Sequence, residues 1–319
     1  MRRLFLLPWL FLLIYGCAVV HLPLGESRTP QEVTLLGEGE AKVLMVDVSG
    51  MLSFRRPWAL PGMPQGESLP AQVRQDLDRA RNDPAVRALL VRIDSPGGTV
   101  TSSDVVFHEI RSFRDETGVP VVAAIVEKGL SGGYYVALAA DEIVAHPTAL
   151  VGSVGVFVTK LDASQLLEKW GVRTETTKSG PQKDLLSPLR PLTTAEQQTL
   201  DDLVGELAGR FEETVRTARP NANEEDLAIM RSAAPFTAPR ALELHMIDRI
   251  GYMKDAFEAA TSLAGVEKAR LVAYRRHSGE GASPYSLGSL AGALEAQGTR
   301  LLFLDPAWLE ELGQAELRY

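Results

Sequence analysis

Ser131 lies in the stretch GLSGGYY, whose pattern could make the serine hydroxyl a nucleophile. Gly-x-Ser-x-Gly is typical of hydrolases that place a serine at a sharp turn between a strand and a helix. An apolar strand is predicted before Ser131 and a helix after it, so free N–H groups at the helix start could stabilise an anion. Capping a helix is, however, the commonest task of a serine in this position. This stretch leaves both interpretations open, and catalysis would require a group that accepts the hydroxyl proton.

A Ser-His-acid triad would need a histidine downstream of the serine and a carboxylate that orients it. His146 follows Ser131 too closely in sequence to be the distant histidine of such a triad. His245 lies in the predicted helical stretch ALELHMID, and His277 lies in a Gly/Ser-rich tail. None of the three has a convincing acidic partner, so the sequence disfavours a histidine triad.

A lysine can act as the base when burial lowers the pKa of its ammonium group. The predicted loop TKSGPQKDLLSPLRP offers two such residues, Lys178 and Lys183. Most lysines are solvated and have no catalytic role, and that interpretation also fits both of them. The residues alone therefore leave the identity of the base open.

The elements that would position these residues alternate between strands and helices. Strands are predicted over Ala41–Leu52, Arg87–Asp94 and Pro120–Glu127, and helices over SSDVVFHEIRSFRDET and SGGYYVALAA. The stretch DEIVAHP is predicted to form a further short strand. This alternation predicts an α/β fold with a mainly parallel sheet and covering helices.

The second half of the chain continues this pattern. Beyond Val158 we predict a helix (DASQLLEKW), a strand (VRTETT) and then the loop that carries the two lysines. A long helix follows over Thr193–Arg219, with Thr193 and Glu196 close to a capping box. The stretch FTAPRALELHMIDRIGYMKDAFEAA predicts a helix, a short strand and a second helix.

The composition limits the class of protein. The 319 residues are 45% hydrophobic and 23% charged, as in a globular protein with a large core. A formal net charge of −8 argues against a nucleic-acid partner, because such a protein needs a basic face. Five histidines and the single Cys17 provide neither zinc-finger spacing nor an internal disulfide.

The N-terminal segment predicts attachment to a membrane. Arg2 and Arg3 precede an uncharged apolar stretch, Leu4–Val20, which is typical of an export signal or a membrane anchor. The positive flank places the body of the chain outside the cytoplasm. The residues before Cys17 loosely resemble the cleavage site of a bacterial lipoprotein signal.

Four blocks occur in the order, and roughly at the spacing, of one family: RIDSPGGTVTSSD, GLSGGYYVALAADEIVAHPTALVGSVGV, KSGPQKDLLSP and FTAPRALELHMIDRIG. Over about Val43–Phe257 the chain resembles the signal peptide peptidase A family, which consists of bacterial membrane-bound serine proteases with a Ser-Lys dyad. The resemblance implies a Clp protease/crotonase-like fold. It also implies that Ser131 is the nucleophile and Lys183 the general base, while the N–H groups of Gly98 and Gly132 bind the oxyanion.

The resemblance further implies that no metal or organic cofactor is needed, and that the substrates are hydrophobic or unfolded peptides such as signal-peptide remnants. Short members of the family form rings, in which the lysine of one protomer reaches the serine of its neighbour. Together with the N-terminal segment, this predicts a homo-oligomer with its peptidase domain on the extracytoplasmic side of the bacterial cell membrane. The predicted segments are a signal or anchor over 1–25, a linker over 26–40, a Clp/crotonase-like peptidase domain over 41–275 and a C-terminal tail over 276–319.

Two positions depart from the family pattern, and two other functions compete with peptide hydrolysis. Leu130 stands where a small residue is expected, and His245 stands where glycine is usual. A crotonase-like acyl-CoA enzyme would share the glycine-led helix, but it would need neither Ser131 nor the Lys-Asp loop. A catalytically inactive membrane scaffold of the same fold is the other alternative.

Overall fold

The structure, a computed structural model, describes residues 30–55, 67–275 and 283–285. The strands are β1 (Gln31–Gly37), β2 (Ala41–Ser49), β3 (Val86–Ser95), β4 (Val121–Leu130), β5 (Glu142–Ala145), β6 (Leu150–Gly152), β7 (Pro235–Thr237), β8 (Arg249–Ile250) and β9 (Ala269–Arg275). The helices are α1 (Leu69–Arg81), α2 (Val100–Thr117), α3 (Gly132–Ala137), α4 (Ser164–Lys169), α5 (Thr194–Ala218), α6 (Glu224–Met230), α7 (Ala238–Glu243) and α8 (Met253–Leu263).

The strands form one sheet with the order β1-β9-β2-β3-β4-β5-β8. The pairs from β9 to β8 along this order are parallel, whereas β1 pairs with β9 in the antiparallel direction. Strand β6 extends the sheet beside the end of β4 and pairs antiparallel with β7. The predicted α/β class, with a mainly parallel sheet and covering helices, is confirmed.

Both faces of the central strands are buried, which explains their nearly unbroken apolar sequences. In β3, Leu89, Val91 and Ile93 pack into the core cluster that also contains side chains of α1, α2 and α3. The alternate residues Ala88 and Leu90 pack on the other face, against α8. The sheet is therefore a rigid platform, and the loops at the carboxyl ends of its parallel strands have fixed starting points.

Local signals fix the starts of two helices, and α2 begins two residues before the predicted start at Ser102. Thr99 caps α2 by accepting a hydrogen bond from the N–H of Ser102. The predicted capping box at α5 is confirmed, because Thr193 and Glu196 each bind the other's backbone N–H. These caps end the loops that precede the two helices.

Two predicted stretches have a different structure. The predicted linker over 26–40 contains strand β1, where the alternating apolar residues of QEVTLLG find a partner in β9. The predicted strand VRTETT, residues 172–177, is in no strand and is exposed throughout. A strand needs a neighbour that satisfies its backbone groups, and these residues pair with no strand of the sheet.

The predicted signal or anchor over 1–25 and most of the predicted tail over 276–319 lie outside the described residues. Among the helices that the structure describes, none is long and apolar enough to cross a membrane.

Candidate active site

Ser131 lies at the turn between β4 and α3, in a backbone conformation that few residues adopt. Its φ is 52° and its ψ is −120°, and its side chain makes no capping hydrogen bond to α3. The Ser131 N–H donates to the carbonyl of Gly152 at 2.7 Å, which holds the turn in place. Such conformations cost on the order of 1–3 kcal/mol and occur at functional sites. Helix capping therefore does not account for this serine.

The two glycines after Ser131 permit close contact with neighbouring segments. A Cβ atom on Gly132 would lie 2.2 Å from Ser103 Oγ, and one on Gly133 would lie 2.8 Å from the Ser95 carbonyl oxygen. No larger residue fits at either position without displacing these groups. The start of α3 is thereby packed against the loop SPGG and the first turn of α2.

The SPGG loop is held on its other side by the segment that follows β2. Leu52 pairs with Gly98 in a parallel bridge, in which the Leu52 N–H donates to Gly97 at 2.8 Å and Thr99 donates to Leu52 at 2.9 Å. A Cβ atom on Gly98 would lie 2.0 Å from the Leu52 carbonyl oxygen. Only glycine fits at position 98.

Two backbone N–H groups are available beside the serine. Those of Gly98 and Gly132 donate no hydrogen bond to any residue that the structure describes. The segments that carry them touch, since the Gly132 Cβ position lies 3.4 Å from Gly97 Cα. Two unpaired donors on adjoining rigid segments could bind an oxyanion that forms at a carbonyl attacked by Ser131.

Lys183 lies apart from this group, on an exposed loop between α4 and α5. In the described part of the chain its ammonium forms no ion pair and no hydrogen bond, either with Ser131 or with another residue. Lys178, by contrast, donates to Asp184 at 2.6 Å and to the Pro181 carbonyl at 2.7 Å. The structure therefore brings Ser131, Gly98 and Gly132 together and leaves Lys183 on the surface.

A cluster of charges surrounds the residue after Lys183. Arg190 donates to both oxygens of Asp184, at 2.6 and 2.8 Å, and also to Glu196. Arg190 and Lys178 together lower the pKa of Asp184. Arg190, aided by the Thr193 N–H, lowers the pKa of Glu196 to about 2. The loop is thus held by ion pairs, none of which includes Lys183.

The histidines of the described chain do not assemble a triad. His146 is buried between the rings of Tyr252 and Tyr285, with centroid distances of 5.4 and 5.7 Å. Burial lowers the pKa of His146, and Arg92 lowers it further. His245 lies 3.0 Å from Asp226 through Nδ1.

The conformation of His245 explains the second departure from the family pattern. Its φ is 57°, in the left-handed region that favours glycine, so the backbone keeps the shape that glycine usually provides.

Sequence analysis did not single out Ser153. This residue has a φ of 55°, follows the Gly152 that accepts the Ser131 N–H, and donates to the Ala234 carbonyl at 3.0 Å. Its signal in the sequence was the stretch VGSVGV, where a serine stands between two glycine turns. The hydrogen bond from the Ser131 N–H to the Gly152 carbonyl thus joins two turns, each of which has a serine with a positive φ, Ser131 in one and Ser153 in the other. Backbone strain is therefore concentrated at this site.

Comparisons with known proteins show which proteins this chain is similar to. Residues 114–267 match the sequence profile of Peptidase family S49. A putative protease of Synechocystis is 39% identical over 180 residues, which cover 56% of this chain and 64% of that protein. A putative signal peptide peptidase of Enterococcus faecium is 26% identical over 251 residues, which cover 79% of this chain and 72% of that protein. Protease 4 of Salmonella typhi is 31% identical over 215 residues, which cover 67% of this chain and 34% of that protein.

Among solved structures, the chain is similar to a mutant of the 1510-N membrane-bound stomatin-specific protease, at a TM-score of 0.43 and 12% identity, over 69% of this chain and 85% of that chain. The matched family and the relatives named as proteases indicate the class of protein that the chain is similar to, which is that of the serine peptidases. The match to peptidase family S49 agrees with the resemblance that the four sequence blocks predicted. It spans just under two thirds of the Synechocystis relative and about a third of protease 4.

Proposed function

We propose that the protein is a membrane-associated endopeptidase that cleaves hydrophobic peptides, such as signal-peptide remnants, with Ser131 and Lys183 as its dyad. The observation that carries this proposal is the turn at Ser131. Its strained backbone leaves the hydroxyl without a capping hydrogen bond, and the unpaired N–H groups of Gly98 and Gly132 lie on segments that touch each other next to this turn. A merely structural serine would require neither feature.

The reaction follows from these positions. Ser131 Oγ attacks the peptide carbonyl carbon while the neutral amine of Lys183 accepts the hydroxyl proton. The N–H groups of Gly98 and Gly132 bind the resulting oxyanion. The Lys183 ammonium then donates its proton to the departing amine, the C–N bond breaks, and an acyl-enzyme remains. Water, deprotonated by Lys183, attacks this ester and releases Ser131 with its proton restored.

The exposed position of Lys183 supports a site shared between protomers. A solvated lysine is protonated at neutral pH, so the base needs a surface that excludes water from it. The segment 154–192, which we call the lysine arm, exposes several large apolar side chains: Phe157, Leu161, Leu166, Trp170, Val172 and Leu189. Such a concentration is typical of a surface that another chain covers. In the proposed ring, the lysine arm lies against a neighbour and brings Lys183 to that neighbour's serine.

Membrane attachment through the N-terminal segment completes the proposal. The apolar stretch Leu4–Val20 behind two arginines supports an anchor or export signal and an extracytoplasmic peptidase domain. Hydrophobic peptides released into the membrane would be close to such an enzyme.

Complementation between two inactive variants tests the dyad and the shared site together. Full-length Ser131→Ala and Lys183→Ala proteins should each lose hydrolysis of a fluorogenic hydrophobic peptide, while Lys178→Ala retains most of it. If the site is shared, co-assembly of the two inactive variants should restore about a quarter of the wild-type rate, since that fraction of random interfaces combines both intact residues. Loss of activity without any restoration would place the dyad within one chain. An active Lys183→Ala protein would overturn the dyad.

A further inference from the structure

The turn that carries Lys183 has little regular structure to hold it. Residues 171–193 lie in no strand and no helix. The backbone hydrogen bonds next to the lysine are local turns, such as the 3.2 Å bond from its own N–H to Gly180 and the 2.9 Å bond from Ser187 to Asp184. Such turns fix local shape, but they do not tie the loop to the rest of the molecule.

The loop is tied to its surroundings by a backbone hydrogen bond from Ala163 to Pro188 at 2.8 Å and by a side-chain hydrogen bond from Thr199 Oγ1 to Gln182 at 3.3 Å. Its most extensive tie runs through charged side chains. Asp184 accepts hydrogen bonds from Lys178 at 2.6 Å and from the guanidinium fork of Arg190 at 2.6 and 2.8 Å. Arg190 also donates to Glu196 at 2.8 Å. Glu196 is only 2% exposed and accepts from Thr193 in the capping box of α5. A continuous path of charge-assisted hydrogen bonds thus joins the residue after Lys183 to the start of a long helix.

The same contacts keep the Asp184 carboxylate away from the lysine that precedes it. A carboxylate in contact with Lys183 would stabilise the ammonium form and oppose its action as a base. Here both Asp184 oxygens are taken by Arg190, and Lys178 supplies the second positive charge. The Lys183 amine therefore points from the turn without an anionic partner among the described residues.

We propose that Asp184 and Arg190 are positioning residues for the general base: they fix the turn that presents Lys183, and Asp184 binds Lys178 and Arg190 in place of Lys183. This inference rests on the proposed role of Lys183. Neither residue touches the substrate, so their effect should appear in the rate of the chemical step and not in peptide binding. Arginine suits this task because its planar fork makes two hydrogen bonds to Asp184 and still donates to Glu196, a fixed geometry that the ammonium of a lysine does not provide.

The test uses full-length Asp184→Asn and Arg190→Lys proteins and a fluorogenic hydrophobic peptide. We expect kcat to fall about 10- to 100-fold in each variant, since a misplaced catalytic group costs rates of this order. KM should change by no more than about twofold, because uniform binding is untouched. The matched control is Glu212→Gln, which removes another carboxylate of α5 that two arginines, Arg216 and Arg231, also bind. This control should retain the wild-type kcat.

A double variant that also lacks Lys183 distinguishes a role in positioning the base from a general disturbance of the structure. In the Lys183→Ala protein, Asp184→Asn should cause no further loss of the residual rate, because no base remains to be positioned. A further loss there, an equal loss of kcat in Glu212→Gln, or wild-type kcat in both test variants would overturn the inference. If instead the Lys183→Ala protein itself remains active, the proposed dyad fails, which is a different and distinguishable result.

Discussion

Ser131 lies on a turn between a buried strand and a buried helix, whereas Lys183 lies in the exposed loop 171–192 of the lysine arm, outside the strands and helices that the structure describes. The serine turn is held by close packing, since added Cβ atoms at Gly98 and Gly132 would meet neighbours at 2.0 and 2.2 Å. The lysine arm is held by ion pairs around Asp184. Close packing therefore allows the turn at Ser131 a single geometry, whereas the loop at Lys183 is held by ion pairs, which salt and pH can weaken.

This difference fits a site assembled from two chains. The oxyanion donors must be preorganised to within a fraction of an ångström, and a packed sheet edge provides that precision. In the proposed ring the base has to reach a separate chain, so it would benefit from an arm that can settle against its neighbour. The exposed apolar residues of the lysine arm are where that contact would form.

The largest contrast should come from adding one methyl group in each region. Gly98→Ala places a Cβ 2.0 Å from the Leu52 carbonyl oxygen, and that backbone cannot move without breaking its bridge to the SPGG loop. We expect a loss of roughly 3 kcal/mol in the free energy of unfolding and a fall in kcat of about 100-fold. Gly180→Ala is the matched control, because its Cβ would meet nothing within 4 Å. Chemical denaturation and peptide hydrolysis measure both effects, and equal losses in the two variants would contradict the contrast.

The sequence predicted most of the rigid region and little of the arm. The strand before Ser131, the helix after it, and the glycines of SPGG are local patterns, and local patterns follow from steric and hydrophobic periodicity. The positions of Gly98 and Gly132 beside Ser131 are also expected once parallel strands end at one edge. VRTETT, by contrast, was predicted as a strand from its β-branched residues, although no neighbouring strand is available to it.

The contacts that hold the arm could not be predicted from the sequence, because they depend on which charges meet in space. Asp184 and Arg190 are six residues apart, as are Arg190 and Glu196, and the segment 184–193 is in neither a strand nor a helix, so no periodicity predicts these contacts. The strain at Ser131 was likewise invisible, since the same sequence could have formed an ordinary helix cap. The dyad assignment came from family resemblance, and the geometry of one chain leaves Lys183 without its target.

Acid should loosen the lysine arm before it disturbs the sheet. In the folded protein the pKa of Asp184 is lowered by Arg190 and Lys178, and that of Glu196 is lowered from 4.5 to about 2. Groups with a depressed pKa stabilise the fold above their ordinary values, and this contribution is lost as the pH falls through the folded value. Between about pH 4.5 and pH 2, hydrogen exchange corrected for intrinsic rates should show protection falling in residues 178–190 but not in β3 or β4. The Glu196→Gln protein should show the same loss already above pH 4.5, and simultaneous loss in arm and sheet would contradict this order.

The smallest effect concerns His245, which occupies a rigid position where the family usually has glycine. Its φ of 57° strains any residue with a side chain, while its Nδ1 contact with Asp226 at 3.0 Å offsets part of that strain. His245→Ala loses the contact and keeps the strain, whereas His245→Gly loses the contact and relieves the strain. We therefore expect the glycine variant to be more stable than the alanine variant by about 1 kcal/mol, measured as the difference in thermal midpoint at constant pH. Peptide hydrolysis should be the same in both, because His245 makes no hydrogen bond to Ser131 in the described chain. An alanine variant as stable as the glycine variant would show that the backbone relaxes there, and the position would then not be rigid.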